Sequence, residues 1–282
     1  MHTIKDSLGD RMKAYENISR NYLTRRIPVI IRIDGKAFHT FTRGFEKPFD
    51  KVFMEAMQQT MKYLCENIQG CVLGYTQSDE ITLVLTDYAN IDTDAWFGYN
   101  IQKMASVAAS MATMAFNKEF EAIVAVEEDS YYCGERIEFL HRHQEALEKG
   151  AMFDARCFNI PKEEVCNAIY WRQLDATRNS IQMVGQAYFS QKKLQNKTCN
   201  QIQDMLHEQK GINWNDFPTD CKRGSCCIKE TYYCTKDGGS VIGEQNYEPE
   251  DVIERSKWVI DKEIPIFIND DRKYIEKLIN FD

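Results

Sequence analysis

Long apolar runs are missing from this 282-residue chain; none approaches the roughly 18 residues that a membrane-spanning helix needs. Residues 1–26 are charged throughout and lack the apolar core of a secretion signal. A soluble, cytoplasmic protein with no membrane association is therefore expected. There is no internal repeat and no Pro/Gly/Ser-rich linker. GxxxxGK[ST] is absent, as is GxGxxG after a strand, so P-loop and Rossmann nucleotide sites are unsupported. GxSxG is absent too, and no hydrolase nucleophile is announced. Positive charge is scarce: 35 Lys and Arg against 43 Asp and Glu leave a net charge of −8. Such a chain repels phosphate backbones in general, so any nucleic-acid function must rest on local basic clusters or on metal ions. The ten cysteines include no CxxC and no His partner at zinc-ligand spacing. Cys221, Cys226, Cys227 and Cys234 cluster, but reduced and mostly buried thiols are favoured there over a metal knuckle or a disulfide pair.

What is present describes a folded α+β chain. At 43% hydrophobic, 12% aromatic and 28% charged, disorder is excluded. The length allows two domains or one elaborated domain, without disulfide staples. Leu8, Met12, Tyr15 and Ile18 predict a helix over 5–23, and the β-branched run at 28–35 (PVIIRIDG) predicts a strand ending in an acid and a glycine. Phe49, Phe53, Met57, Met61 and Leu64 place a core-facing helix at 49–67. Residues 71–75 and 80–85 read as a hairpin joined through 76–79. A helix is expected at about 96–117 and a strand at 121–126. Strand, helix, strand, strand, helix, strand is the split βαβ, ferredoxin-like order. A short helix follows (135–149), then a strand (151–158), a helix opened by Pro161, further helix across 178–210, strands at 226–234 and 251–260, and a closing helix at 270–280. A division near residue 130 separates 1–130 from 131–282, although the two parts can share one core.

Chemistry is suggested first by Asp34 and Asp79. Each sits where an apolar strand meets a turn, and the topology brings the two tips together. Two ionised carboxylates side by side repel, so a pair of this kind normally holds a cation. Mg²⁺ fits, because it takes one or two carboxylates, a carbonyl such as that of Gly35, and phosphate oxygens. Two such ions can clamp an in-line phosphoryl displacement. From spacing alone, ordinary turn aspartates are an equal alternative. Alternation points Glu80 away from Asp79, where it can back the site. After Asp34 come Gly35, Lys36, Ala37, Phe38 and His39, a glycine-led loop whose N–H groups can cradle a polyphosphate. Lys47 is a second candidate phosphate ligand. His39 alone reads more readily as a packed or solvated histidine.

These residues carry a resemblance. Ile31-Arg32-Ile33-Asp34-Gly35-Lys36-Ala37-Phe38-His39, then Lys47-Pro48, then Tyr75-Thr76-Gln77-Ser78-Asp79-Glu80 resemble, in order and spacing, the tRNA-His guanylyltransferase family. Phe153-Asp154-Ala155-Arg156, Trp171-Arg172-Gln173-Leu174-Asp175 and Lys222-Arg223-Gly224 extend the likeness to about residue 230. The resemblance implies a polymerase-type palm with additional helices. It implies that the protein activates the 5′-monophosphate of a tRNA with ATP or GTP and adds nucleotides in the 3′-to-5′ direction. Asp34, Gly35 and Asp79 would hold two Mg²⁺ ions. Arg32 and the Lys36–His39 loop would bind the nucleotide, with Lys47 and Ser78 supporting catalysis. Arg156, Arg172, Gln173, Asp175, Arg178, Asn179, Lys192, Lys193, Lys222 and Arg223 would face tRNA, with Trp171, Tyr188 and Phe189 interspersed. A homotetramer is implied as well.

One departure narrows the reading. Where enzymes specialised for tRNA-His carry H-I-N-N, this chain has Ala176-Thr177-Arg178-Asn179-Ser180. That resembles the guanylyltransferase-like branch, associated with templated repair of 5′-truncated tRNA. Strict tRNA-His guanylylation stays as an alternative. So do a palm-domain nucleotide cyclase, against which Gln77-Ser78-Asp79-Glu80-Ile81 lacks the expected G-G-[DE]-E-F hairpin, and a non-catalytic RNA- or nucleotide-binding protein. The extension after about 235 matches no known pattern.

Overall fold

The computed structural model describes residues 7–130, 137–235 and 252–280. Cys133 and the first part of the C-terminal extension, 236–251, lie outside the described residues. In chain order the elements are α1 (Leu8–Ile18), β1 (Val29–Gly35), α2 (Phe38–Phe41), α3 (Lys51–Asn67), β2 (Cys71–Gln77), β3 (Glu80–Leu85), α4 (Ile101–Ser130) and α5 (Ile137–Lys149). Then follow β4 (Phe153–Asn159), α6 (Val165–Tyr188), α7 (Gln191–Leu194), α8 (Cys199–Lys210), α9 (Thr219–Arg223), β5 (Ser225–Thr235), β6 (Val252–Asp261) and α10 (Lys273–Ile279).

One antiparallel sheet organises all of this, with strand order β4-β1-β3-β2-β5-β6. It takes β1, β2 and β3 from before residue 130 and β4, β5 and β6 from after it. Period-two alternation on β1 feeds two cores. Val29, Ile31 and Ile33 pack with α3 and α4, where Met57, Met61, Leu64, Met104 and Phe116 are buried. Ile30 faces the other way, with Tyr75, Ile169 and Ile275 under α6 and α10. A third cluster, built on Ile181, Val184, Leu206 and Trp214, joins α6 to α8 and the loop after it. No helix among the described residues is long and apolar enough to cross a membrane.

The expected strand at 121–126 is helical, and β4 is the strand that completes the pattern. Ile123, Val124 and Val126 favour strand locally. However, Phe116, Phe120 and Val124 are buried at four-residue spacing and continue the stripe that starts at Met104, Ala108 and Ala112. Packing along 30 residues of α4 outweighs a six-residue preference. The hairpin is also tighter than expected. β2 runs to Gln77, leaving Ser78 and Asp79 as a two-residue turn, with Ser78 at φ 50°. Phe49 stays outside α3 and packs on Phe217 at 5.5 Å between ring centroids, while Asp50 caps the helix by accepting the Phe53 amide. The helical stretch at 178–210 is three helices, α6 to α8.

Two contacts fasten the late basic turn to the hairpin. The Tyr75 hydroxyl donates to the Arg223 carbonyl at 2.5 Å. Gly224, at φ 81°, lies so close to β2 that a Cβ there would meet the Thr76 carbonyl at 2.4 Å. Cys221, Cys226, Cys227 and Cys234 are free thiols, the last three of them buried on β5.

Candidate active site

Sheet register assembles the acids. Asp154, Asp34 and Glu80 stand directly opposite one another across β4, β1 and β3, and two residues along, Arg156, Arg32 and Thr82 do the same. Directly paired residues share a face. A row of three carboxylates therefore lies beside a row of two arginines. Asp79 joins from the turn, where its carbonyl accepts the Gly35 amide at 3.0 Å.

These carboxylates are treated very differently by their surroundings. Glu80 is buried and held from two sides. Arg172 on α6 donates Nε to one Glu80 oxygen at 2.6 Å and Nη2 to the other at 2.7 Å, while Arg32 donates Nη2 to the latter at 2.9 Å. Arg172 also donates to Asp175 at 2.9 Å, and Asp175 pairs in turn with Arg178. Asp34 and Asp79 form no ion pair among the described residues. Burial chiefly pushes the Asp34 carboxyl above the usual aspartate value; Glu80 and Asp154 add to this, and Arg156 and Arg32 oppose it. Burial likewise dominates at Asp79, working against hydrogen bonds from its own amide and from the Ser78 hydroxyl, with Asp34 and Glu80 adding to the rise. The fold thus neutralises Glu80 with arginine and leaves Asp34 and Asp79 uncompensated.

Beside this pair opens a cleft of about 620 Å³ whose lining includes Gly35, Ala37, His39, Lys47, Ser78 and Asp79. Gly35 allows the loop to turn there, because a Cβ would sit 2.2 Å from the Phe38 ring. That ring is buried against Phe41, Phe53, Phe116 and Phe153, so Phe38 anchors the loop. The Gly35 and Lys36 amides are engaged, by Asp79 and Met152 respectively. Those of Ala37, Phe38 and His39 have no acceptor among the described residues, and Ala37 takes a left-handed φ of 57°. Lys47 is exposed at the opposite lip. Its loop is fixed by Asp50, which accepts the Glu46 amide at 3.0 Å and pairs with the buried His143 Nε2 at 2.9 Å. Met183 and Gln186 of α6 reach the same cleft.

Several site expectations change. Arg32 does not line the cleft; it holds Glu80, and its guanidinium lies 5.4 Å from the Trp171 ring. Lys36 is exposed but also lies outside the cleft lining. Arg172, Gln173 and Lys222, expected to face tRNA, are buried and partnered internally. Arg172 holds Glu80. Gln173 donates to the Pro265 carbonyl at 2.8 Å and accepts the Phe267 amide at 3.2 Å. Lys222 donates to the Asn215 carbonyl at 2.6 Å. Arg156, Arg178, Lys192 and Lys193 are exposed, Arg223 is partly so, and Asn179 and Asp175 lie at the margin of the Arg172 network. Sequence reasoning missed His143, which no motif marks, and Gln186. The capping role of Asp50 was readable from an acid just before an apolar helical stripe.

The donor set fits a hard divalent cation. Two carboxylates raised by burial and by neighbouring acids present oxygen next to open amides and a lysine, where phosphate oxygens and water can complete a shell. Among the described residues no group of three or more His, Cys, Asp or Glu side chains is placed to hold a metal by itself, so ligands from outside the chain would be needed.

An antiparallel sheet that ends in a bare acid pair, beside a cleft with a glycine-led loop and a lysine, is an arrangement suited to nucleotidyl transfer. Comparison with known proteins agrees. A family model described as tRNA(His) guanylyltransferase matches residues 9–161. A bacterial tRNA(His) guanylyltransferase-like protein solved in complex with ATP is 42% identical and superposes with a TM-score of 0.77, covering 98% of this chain and 100% of its own. Such a bacterial protein in complex with GTP superposes at 0.72, again at 42% identity, over 97% and 99% of the two chains. A probable tRNA(His) guanylyltransferase from Dictyostelium discoideum is 25% identical over 92% of this chain and 97% of its own. The chain belongs to the tRNA(His) guanylyltransferase family, whose members are nucleotidyltransferases.

Removing one partner of a buried ion pair is far more costly than removing an exposed one. Arg172→Ala is expected to lower unfolding free energy in urea by about 3–5 kcal/mol. Arg156→Ala, at an exposed contact 3.4 Å from Asp154, should cost under about 1 kcal/mol. A second prediction concerns pH. A carboxyl raised in the native state contributes stability below its ordinary value of 3.8 and loses it as pH rises through the native value. In metal-free buffer at neutral pH, Asp34→Asn should therefore melt higher than the wild type, and the gap should shrink on acidification. A gap that widens on acidification contradicts the assignment.

Proposed function

We propose that the chain is a polymerase-type palm of ferredoxin-like strand order that extends the 5′ end of tRNA in the 3′-to-5′ direction. A tRNA 5′-monophosphate is first activated by ATP or GTP, and the 3′-hydroxyl of an incoming nucleoside triphosphate then attacks the activated end. The uncompensated Asp34–Asp79 pair carries this reading, lying beside open amides and Lys47. The solved relatives that bind ATP and GTP support the nucleotide part of it.

Asp34 and Asp79, with the Gly35 carbonyl, would hold two Mg²⁺ ions, which when bound supply Lewis-acid stabilisation of the attacking and leaving oxygens. Ala37, Phe38 and His39 offer backbone N–H groups to triphosphate oxygens. Lys47 offers a mobile positive charge at the other lip, held in reach by Asp50 and His143. Ser78 orients Asp79 through its hydroxyl at 3.0 Å. Glu80 takes no part in ligation in this scheme, because two arginines occupy it. The exposed cations Arg156, Arg178, Lys192 and Lys193, with the half-buried Arg223, would meet the RNA, and the division near 130 is one of function, with the acids before it and the RNA contacts after it.

Templated repair of 5′-truncated tRNA is the preferred activity within the family, on two grounds. Ala176–Ser180 replaces the tRNA-His-specific motif, and the 42% identical neighbour is itself a guanylyltransferase-like protein. A cytoplasmic homotetramer completes the proposal. α1 supports self-association, since Leu8, Met12, Tyr15 and Ile18 form a stripe with no buried residue in its own chain.

The test is to incubate the protein with Mg²⁺, labelled ATP, the four nucleoside triphosphates and a 5′-monophosphorylated tRNA lacking its first nucleotide. An adenylylated intermediate followed by the nucleotide complementary to the template is expected. Guanosine added regardless of the template favours the strict enzyme, and cyclic product alone overturns the proposal. Asp34→Ala or Asp79→Ala should cost several kcal/mol of barrier, about 10³-fold in rate, with tRNA binding unchanged.

A further inference from the structure

A second cleft, of about 860 Å³, opens between α6, α7 and the start of α8. Gln182 and Gln186 line it from α6, Gln191 from the start of α7 and Gln195 from the residue just after it. Gln182 and Gln186 are four residues apart on α6 and so share a helix face. None of these four side chains has a hydrogen-bond partner among the described residues, and all four are exposed. Lys192 and Lys197 add positive charge. Although the chain carries 43 Asp and Glu, no carboxylate lines this cleft. Gln186 also lines the cleft beside Asp79, so that residue borders both spaces.

We propose that this cleft binds the single-stranded nucleotides of the RNA strand opposite the reacting 5′ end, its amides reading base edges and its lysines holding phosphates. The chemistry of the lining points to this ligand. Glutamine amides present donor and acceptor together, which suits the Watson–Crick and Hoogsteen edges of unpaired bases. A site built for a bare anion would use cations alone, whereas here Phe189, Leu194 and Ile202 lie among the amides and lysines and offer apolar surface to base faces. Through the shared residue Gln186 this cleft adjoins the one beside Asp79, which brings a bound strand near the incoming nucleotide, where an unpaired base can direct its choice. The inference rests on the proposed tRNA substrate.

Fluorescence anisotropy with two acceptor-stem hairpins tests it, one blunt and one with a four-nucleotide single-stranded 3′ tail. The wild type is expected to bind the tailed hairpin about tenfold tighter, a factor in the range of one good base contact. Gln182→Ala and the double variant Gln191→Ala/Gln195→Ala, which leave the cleft beside Asp79 untouched, should lose that preference while binding the blunt hairpin as before. Because Lys192 and Lys197 hold phosphates of the tail, the tail increment should shrink as salt rises from about 50 to 200 mM, while the part supplied by the amides persists. A wild type indifferent to the tail, or variants that keep the preference, overturn the inference. Nucleotide incorporation into full-length tRNA, measured in parallel on the wild type, separates the two ideas. Incorporation without tail preference defeats this inference alone, and tail preference without incorporation supports it while the proposed reaction fails.

Discussion

The buried ion network around Glu80 is the constraint from which the site follows. Burying a carboxylate beside two others is unfavourable unless cations surround it, and a buried pair seldom adds net stability over a well-packed apolar substitute. What this one adds is placement. Arg172 reaches from α6 to β3 across 92 residues of sequence and fixes that helix on the sheet face that carries the acids. Arg32 approaches the same carboxylate from β1. With Glu80 saturated, the negative potential left at this end of the sheet belongs to Asp34 and Asp79.

The same placement carries the helix to the ligand side. With Arg172 fixed, Met183 and Gln186 come to the wall of the cleft beside Asp79, three to four turns further along α6. The helix thus joins the acid row at one end to the amide-lined space at the other. The loop opposite is fixed independently, through Asp50 and His143, so that Lys47 faces the acids from a second rigid support. Net charge fits this division of labour. A value of −8 is unsuited to general contact with RNA, yet no acid lines the glutamine cleft.

Much of the centre was legible because its signals are local. Asp34 follows an apolar strand and precedes a glycine that nothing larger could replace, and Asp79 sits in a polar turn between two strands. Pairing partners distant in sequence were not legible. Arg172, Gln173 and Lys222 read as RNA-facing because a polar side chain does not reveal whether its partner lies in solvent or far away in the chain. All three turn inward. The missing strand at 121–126 failed for a related reason, since β-branched residues at the end of a long helix keep the burial stripe set by Phe116 and Phe120.

The most direct measurement is of metal binding at the acid row. Mn²⁺ titrated into the nucleotide-free protein can be followed by enhancement of water proton relaxation, comparing Asp34→Asn, Asp79→Asn and Asp154→Asn. Asp154 shares the row but is exposed and faces Arg156. Binding should be lost in the first two variants and kept in the third. Retention in Asp34→Asn and Asp79→Asn, or equal loss in Asp154→Asn, contradicts the claim that arginine-held Glu80 leaves Asp34 and Asp79 as the cation pair.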